Sequence, residues 1–279
     1  MILLAAAATA AVTTAALLGG TRGFFARDLF MRANYRGERL PTAVGLLVPI
    51  AASTVLAAAA VLSTLGWDAH RDSLLSLNLT VTAAFGFGFL GLLDDLAVDR
   101  GASGYRGHLR ALSGGNLSAG ALKMLAGPVV ALVVVNPLSG GSFWRLVADG
   151  AVVALAANLA NLFDRAPGRV SKVFFAVAVV LVVASGASAA LAGLAAVGGA
   201  ALVLFRGDLS ERFMLGDAGA NPLGAAAGLA VVLAFSPGIR DVVLIALFAM
   251  NLLSEWVSFS SVIERVGLLR ALDTAGRRG

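Results

Sequence analysis

Three clusters in this 279-residue chain carry side chains able to do chemistry, and each lies at the edge of a long apolar stretch. GFGFLGLLDDLAVDR, from Gly86 to Arg100, ends an apolar run on the adjacent carboxylates Asp94 and Asp95. At a helix C-terminus the dipole is already negative and like charges repel, so the pair needs a cation to offset it, as metal or phosphate chemistry would supply. In ANLANLFDRAPGRVSK, residues Asn158, Asn161 and Asp164 recur every three positions and fall near one helical face. One asparagine could simply join two helices, but three polar residues beside Arg165, Arg169 and Lys172 read as the lined mouth of a pocket. In ERFMLGDAGANPLG, Asp217 opens an apolar run. Aspartate there is a normal helix cap, while Gly216 and Gly219 would let backbone approach a ligand closely.

Together these clusters bring four carboxylates among several cations. Oxygen ligands of this kind suit Mg²⁺ bridging a protein carboxylate and substrate phosphates, with Mn²⁺ as second choice. The chain has two histidines, His70 and His108, too few for a histidine-rich zinc site.

Long apolar elements must position these groups. Hydrophobic residues make up 59% of the chain before its 33 glycines are counted, and charged residues 13%, which excludes a soluble globular domain. The ten-residue alternating segments of an outer-membrane barrel are absent. Nine apolar segments can be marked: 2–20, 42–66, 74–93, 119–138, 146–163, 173–186, 187–205, 218–236 and 241–260. The pattern predicts an all-α polytopic membrane protein, with residues 1–260 as one integral membrane domain and 261–279 as a short basic tail. The sixth segment is short and meets the seventh at Ser185-Gly186, so that pair also reads as one broken or re-entrant element.

Cytoplasmic loops collect Lys and Arg. With nine spans, 18 of the 21 basic residues face one side, leaving Arg71, Arg145 and Arg240 on the other. That alternation predicts an N-terminus outside and a cytoplasmic C-terminus in the cell's inner (plasma) membrane. The first segment could instead be a cleaved signal peptide, but it lacks a basic leader and its arginines follow the apolar stretch. Topology accounts for the net charge of +5 without a nucleic-acid partner. With no cysteine, the chain has no disulfide, thiolate metal site or cysteine nucleophile.

The order GLLDD, NLANLFD, FMLGDAG resembles the polyprenyl-phosphate N-acetylhexosamine-1-phosphate transferases, which include the phospho-N-acetylmuramoyl-pentapeptide transferases. NYRGERLPTAVGLL, from Asn34 to Leu47, is similar to the family's basic lead-in to its second conserved span. Lys123 in GALKML is similar to the lysine that follows the family's acidic pair, and Glu255 in SEWVSFSSVIER to an acidic residue before its last cytoplasmic loop.

The resemblance covers nearly the whole chain and implies transfer of a sugar 1-phosphate from a UDP-sugar to a polyprenyl phosphate at the cytoplasmic face. It implies that Asp217 binds Mg²⁺ and that Asp94 and Asp95 act at the lipid-phosphate nucleophile or near the metal. Asn158, Asn161 and Asp164 would line the nucleotide-sugar pocket, and Lys123 would hold a phosphate as a point charge. A homodimer is left open.

Two departures stand out. Where the family reads Asp-Gly-x-Asp-Gly, this chain has Asp164-Arg165-Ala166-Pro167-Gly168, and no histidine follows His108 to match the family's histidine-rich loop. Arg165 or Arg169 could neutralise a diphosphate instead. The alternative is a catalytically silent relative that binds lipid phosphate or regulates a cell-wall enzyme. A transporter is a third reading, suggested by Glu255 and the short sixth segment.

Overall fold

The computed structural model describes residues 1–66, 71–97 and 119–278. His70, Arg100, Arg106, His108 and Arg110 lie outside the described residues. The fold is all-α, with 79% helix and 2% strand. Its long helices are α1 (Ile2–Gly20), α2 (Leu47–Thr64), α3 (Arg71–Leu96), α4 (Ala119–Val135), α5 (Phe143–Phe163), α6 (Arg169–Ala184), α7 (Ala192–Leu209), α8 (Asp217–Ala234) and α9 (Pro237–Leu253). Two short helices, α10 (Phe259–Arg265) and α11 (Gly267–Thr274), follow.

Six of the described helices are long and apolar enough to cross a membrane: α1, α3, α5 and α8, and also α2 and α7 counted with the 3₁₀ turns that lead into them. The other three segments marked in the sequence are helical but shorter. α4, α6 and α9 run 17, 16 and 17 residues, because α4 gives way to a 3₁₀ turn at Asn136-Pro137, α6 ends at Ser185-Gly186 and α9 starts at Pro237. At Ser185-Gly186 the chain reverses. Gly186 and Ala187 take positive φ angles of 63° and 58°, and α6 and α7 run antiparallel, with Gly168 against Leu209 and Phe174 against Gly198.

Small residues set how closely the helices approach, since in lipid the packing gain comes from van der Waals contact rather than from expelling water. A Cβ at Gly224 of α8 would strike the Ala156 carbonyl of α5, and one at Gly199 of α7 the Ala7 carbonyl of α1. This explains a sequence rich in Ala and Gly. The central helix is α8, with 78% of its residues buried against 17% for α1.

At one end of the bundle a hairpin joins α1 to α2. Strands β1 (Met31–Ala33) and β2 (Arg39–Pro41) pair antiparallel, with Arg32 opposite Leu40. Asn34 Oδ1 accepts from the N–H groups of Arg36 and Glu38 and closes the turn. The hairpin is joined to the loop before α8, where Met214 N–H donates to the Pro41 carbonyl at 2.8 Å and Gly45 N–H to that of Leu215 at 2.9 Å. Asn34 also donates to Glu211.

At the opposite end lies a buried ion cluster. Asp149 of α5 is 1% exposed and takes Arg240 Nη1 of α9 at 3.0 Å and Arg145 Nη1 at 3.7 Å, while Arg145 also pairs with Asp241. Removing one partner of a buried pair leaves a poorly compensated charge, so Arg240→Ala is expected to cost about 3 kcal/mol. A thermal melt in detergent would register it as a lower Tm, and an unchanged melt would mean the cluster does not hold α5 to α9.

Candidate active site

The site begins where the C-terminus of α3 meets the N-terminus of α8. Gly91 permits this contact, because a Cβ there would overlap the Asp217 carbonyl and the Ala218 nitrogen. One helical step apart, Asp94 and Asp95 point to different tasks. The N–H groups of Asp217 and Ala218 donate to the two Asp95 oxygens, each at 3.0 Å. Asp95 therefore caps α8 from a neighbouring helix, satisfying two otherwise orphaned donors where the dipole favours an anion. Gly216 completes the cap: its φ is +73° and a Cβ would come 2.5 Å from Asp95 Oδ2.

Asp94 faces Lys123 instead. Lys123 Nζ, in the first turns of α4, lies 2.5 Å from Asp217 Oδ2 and 3.5 Å from Asp94 Oδ2. The side chains of Lys123, Asp94 and Asp217 keep 16%, 32% and 22% of their exposure, enough for a ligand to reach them. Beside this cluster Arg32 of β1 donates to the Leu96 carbonyl at 3.0 Å, occupying the end of α3.

Asp164 caps the C-terminus of α5. Burial, followed by the negative charges of Asp208, Asp217 and Asp95, pushes its carboxyl well above the ordinary range against the pull of Arg165. Asp164 thus shares the field of the cluster. Asp208, which the sequence reading passed over, is 4% exposed and accepts from the N–H groups of Gly168 at 2.9 Å and Leu215 at 3.2 Å. It ties the loop after α5 to the loop before α8. A carboxylate in the last turn of an apolar helix was its signal.

Other candidates lie elsewhere. Asn158 donates to Asn251 Oδ1 of α9 at 2.7 Å, away from the carboxylates, while Asn161 lies three residues, nearly one helical turn, before Asp164. Arg165 is exposed and lines a cleft of about 450 Å³ together with Ser254, Ser258, Phe259 and Ser260. Glu255 sits exposed in the turn after α9.

Arg169 is 5% exposed and grips Asp273 of α11 in a two-pronged pair, both bonds 2.8 Å, while its third nitrogen donates to Ser260. Lys172 donates to the carbonyls of Leu272, Asp273 and Ala275, and Arg277 reaches Asp273 and the Pro167 carbonyl. The segment after residue 260 is therefore folded onto the bundle. Burial alone would raise the Asp273 carboxyl, but the hydrogen bonds and charges of Arg169 and Arg277 outweigh it and hold it below the usual range.

A carboxyl lowered in the folded state stabilises docking fully above its ordinary pKa and loses that contribution as pH falls through the lowered value. Hydrogen exchange of the tail amides, corrected for the intrinsic pH dependence of exchange, is expected to show protection that stays flat from neutral pH to about 4 and falls below it. In Arg169→Ala, the tail should be unprotected throughout. Equal protection of both proteins at neutral pH would refute the anchoring role.

Among the described residues no group of three or more His, Cys, Asp or Glu side chains is arranged to hold a metal ion. The donor set nevertheless fits one expectation: two carboxylates, Asp94 and Asp217, already converge on a single cationic atom. Mg²⁺ is commonly bound by one or two carboxylates with water and substrate phosphate completing its shell. No protein-family model matches the chain, and no curated protein matches it.

Proposed function

We propose that this membrane protein is a phosphoglycosyltransferase that moves a sugar 1-phosphate from a UDP-sugar to a polyprenyl phosphate in cell-envelope glycan synthesis. The observation that carries the reading is the convergence of Asp94 and Asp217 on Lys123, with Asp95 fixing the helix end that presents Asp217. A lipid phosphate oxygen attacks the phosphorus joined to the sugar, the bond to UMP breaks, and a lipid diphosphate sugar forms. Displacement at phosphorus depends chiefly on positioning and charge neutralisation. Lys123 holds a phosphate, Asp94 accepts the proton of a protonated lipid phosphate, and Arg165, at the cleft it lines with Ser254 and Ser258, receives the nucleotide-sugar. Asp217, with Asp94 beside it, would hold Mg²⁺, which would neutralise the diphosphate and orient it.

The same reading takes the chain as nine spans with the site at the cytoplasmic face of the plasma membrane. Supporting it, the ends of α3, α5 and α7 and the starts of α4, α6 and α8 meet around one cluster, while Arg145, Asp149 and Arg240 meet at the other end. The basic residues divide accordingly.

The test is purified protein with Mg²⁺, polyprenyl phosphate and a panel of radiolabelled UDP-sugars. Lipid-linked product together with UMP is the expected result. Neither product with any donor would sink the proposal.

A second reading, a silent relative that binds a lipid or a partner enzyme, is favoured by one observation. Lys123 and Arg169 are both already neutralised by the protein's own carboxylates. It predicts that Asp94→Asn and Asp217→Asn preserve the cellular phenotype that gene deletion abolishes.

A further inference from the structure

Outside the carboxylate cluster, a cleft of about 440 Å³ opens between the end of α1 and the end of α7. Its polar rim is three arginines: Arg22, just past α1; Arg206, in the last turn of α7; and Arg212, beyond it. All three are exposed, and none makes a side-chain hydrogen bond or ion pair among the described residues. No carboxylate lines the cleft. The nearby acids are engaged elsewhere: Asp28 with Arg39, Glu211 with Asn34 and Arg36, and Asp208 with two backbone N–H groups.

Apart from Thr21, whose hydroxyl donates to the Leu17 carbonyl, the rest of the lining is apolar. Leu18 and Val203 form its walls, and Phe25 and Phe213, 4% and 8% exposed, close its back. Phe25 is held by edge contacts with Phe24 and Phe30, their ring centres 5.2 and 5.4 Å away, so the floor is a packed structure rather than a loose loop. Farther along the same two helices Val12 and Leu202 stand 71% and 61% exposed. The cleft thus joins cations at the helix ends to an apolar surface of the kind that faces acyl chains.

We infer that this cleft binds an anionic phospholipid of the surrounding bilayer, its phosphate among Arg22, Arg206 and Arg212 and its chains along α1 and α7. Basic pockets at the ends of membrane helices suit such headgroups, whereas the zwitterionic headgroup of a choline lipid has no net charge to offset three arginines. The site is separate from the proposed reaction and does not depend on it. Pro41, Val44 and Phe213 of its lining come from the two segments joined by the Met214-to-Pro41 and Gly45-to-Leu215 hydrogen bonds. A bound lipid therefore braces the strand of chain that leads into Asp217.

The experiment titrates delipidated, full-length protein with phosphatidylglycerol, phosphatidylcholine or glycerol 3-phosphate, reading bound lipid by native mass spectrometry and Tm by a thermal melt. Phosphatidylglycerol is expected to bind saturably and raise Tm, and the other two at equal concentration are not. Affinity should fall roughly fivefold for each arginine removed in R22Q, R206Q and R212Q and their combination. R265Q/R270Q/R278Q, with an equal loss of charge, should keep it. Should the combined variant misfold, R206Q alone carries the test. Undiminished affinity in R206Q or the triple variant, equal loss in the control, or an equal response to glycerol 3-phosphate would each overturn the inference.

Discussion

Asp217→Asn is expected to lower kcat for sugar-phosphate transfer at least about a hundredfold while leaving the thermal melt within roughly 0.5 kcal/mol of the parent. The substitution keeps size and shape and does not touch the helix cap, because Asp95 accepts from the backbone N–H of residues 217 and 218, not from the side chain. What disappears is the negative partner 2.5 Å from Lys123, leaving Asp94 as the remaining carboxylate on that cation. Asp95→Asn should behave differently. It leaves an acceptor oxygen but removes an anion from the start of α8, so it should cost about 1 kcal/mol of stability. Measured together, kcat and Tm separate the reacting carboxylate from the positioning one. Parent-like turnover in Asp217→Asn would remove Asp217 from the reaction and, with it, the reading of this cluster as its centre.

Gly91→Ala is expected to be as damaging by a mechanical route. The added methyl would fall on the Asp217 carbonyl and Ala218 nitrogen, which are backbone atoms of the most buried helix and cannot swing aside. Relief requires α3 and α8 to separate, at a cost of about 1–3 kcal/mol for overpacking. The same movement pulls Asp94 from Asp217 and Asp95 from the residues it caps. A displacement of about 1 Å can cost a hundredfold in rate, so activity should collapse in protein that still folds. Gly127→Ala is the matched control, since its methyl would meet only Phe87 at 3.6 Å, an ordinary contact. A Gly91→Ala protein with parent-like Tm and turnover would show that the close contact of α3 and α8 is unnecessary.

Much of the helical layout was legible because long apolar blocks separated by basic connectors leave few alternatives. The placement of the three polar clusters at helix ends was legible for the same reason: each interrupts an apolar block at its end. The division of labour between Asp94 and Asp95 was not. Adjacent carboxylates look equivalent in a sequence, yet successive helix positions differ by about 100°. One therefore faces the backbone of α8 and the other Lys123.

Spacing alone overstates how far Asn158, Asn161 and Asp164 share one face. Steps of three drift by about 60° each, so six residues carry Asn158 about 120° away from Asp164, toward Asn251. Arg169 offered no local clue. Its partner Asp273 lies 104 residues later, and only the fold brings them together.

The centrality of α8 bears on how the protein is made. Its best 18-residue window has a mean hydropathy of 1.3, the lowest of the six long apolar helices, although it is the most buried of them at 78%. It also contains Asn221, fully buried with both amide atoms lacking a partner among the described residues. Such a segment partitions weakly into lipid alone and gains its stability from helices already in place. Because α8 follows seven of those helices in the chain, the growing bundle offers it a protein-lined slot during synthesis. The Asp217 cluster is then completed only when that late helix enters, which keeps a half-assembled chain without its carboxylate pair.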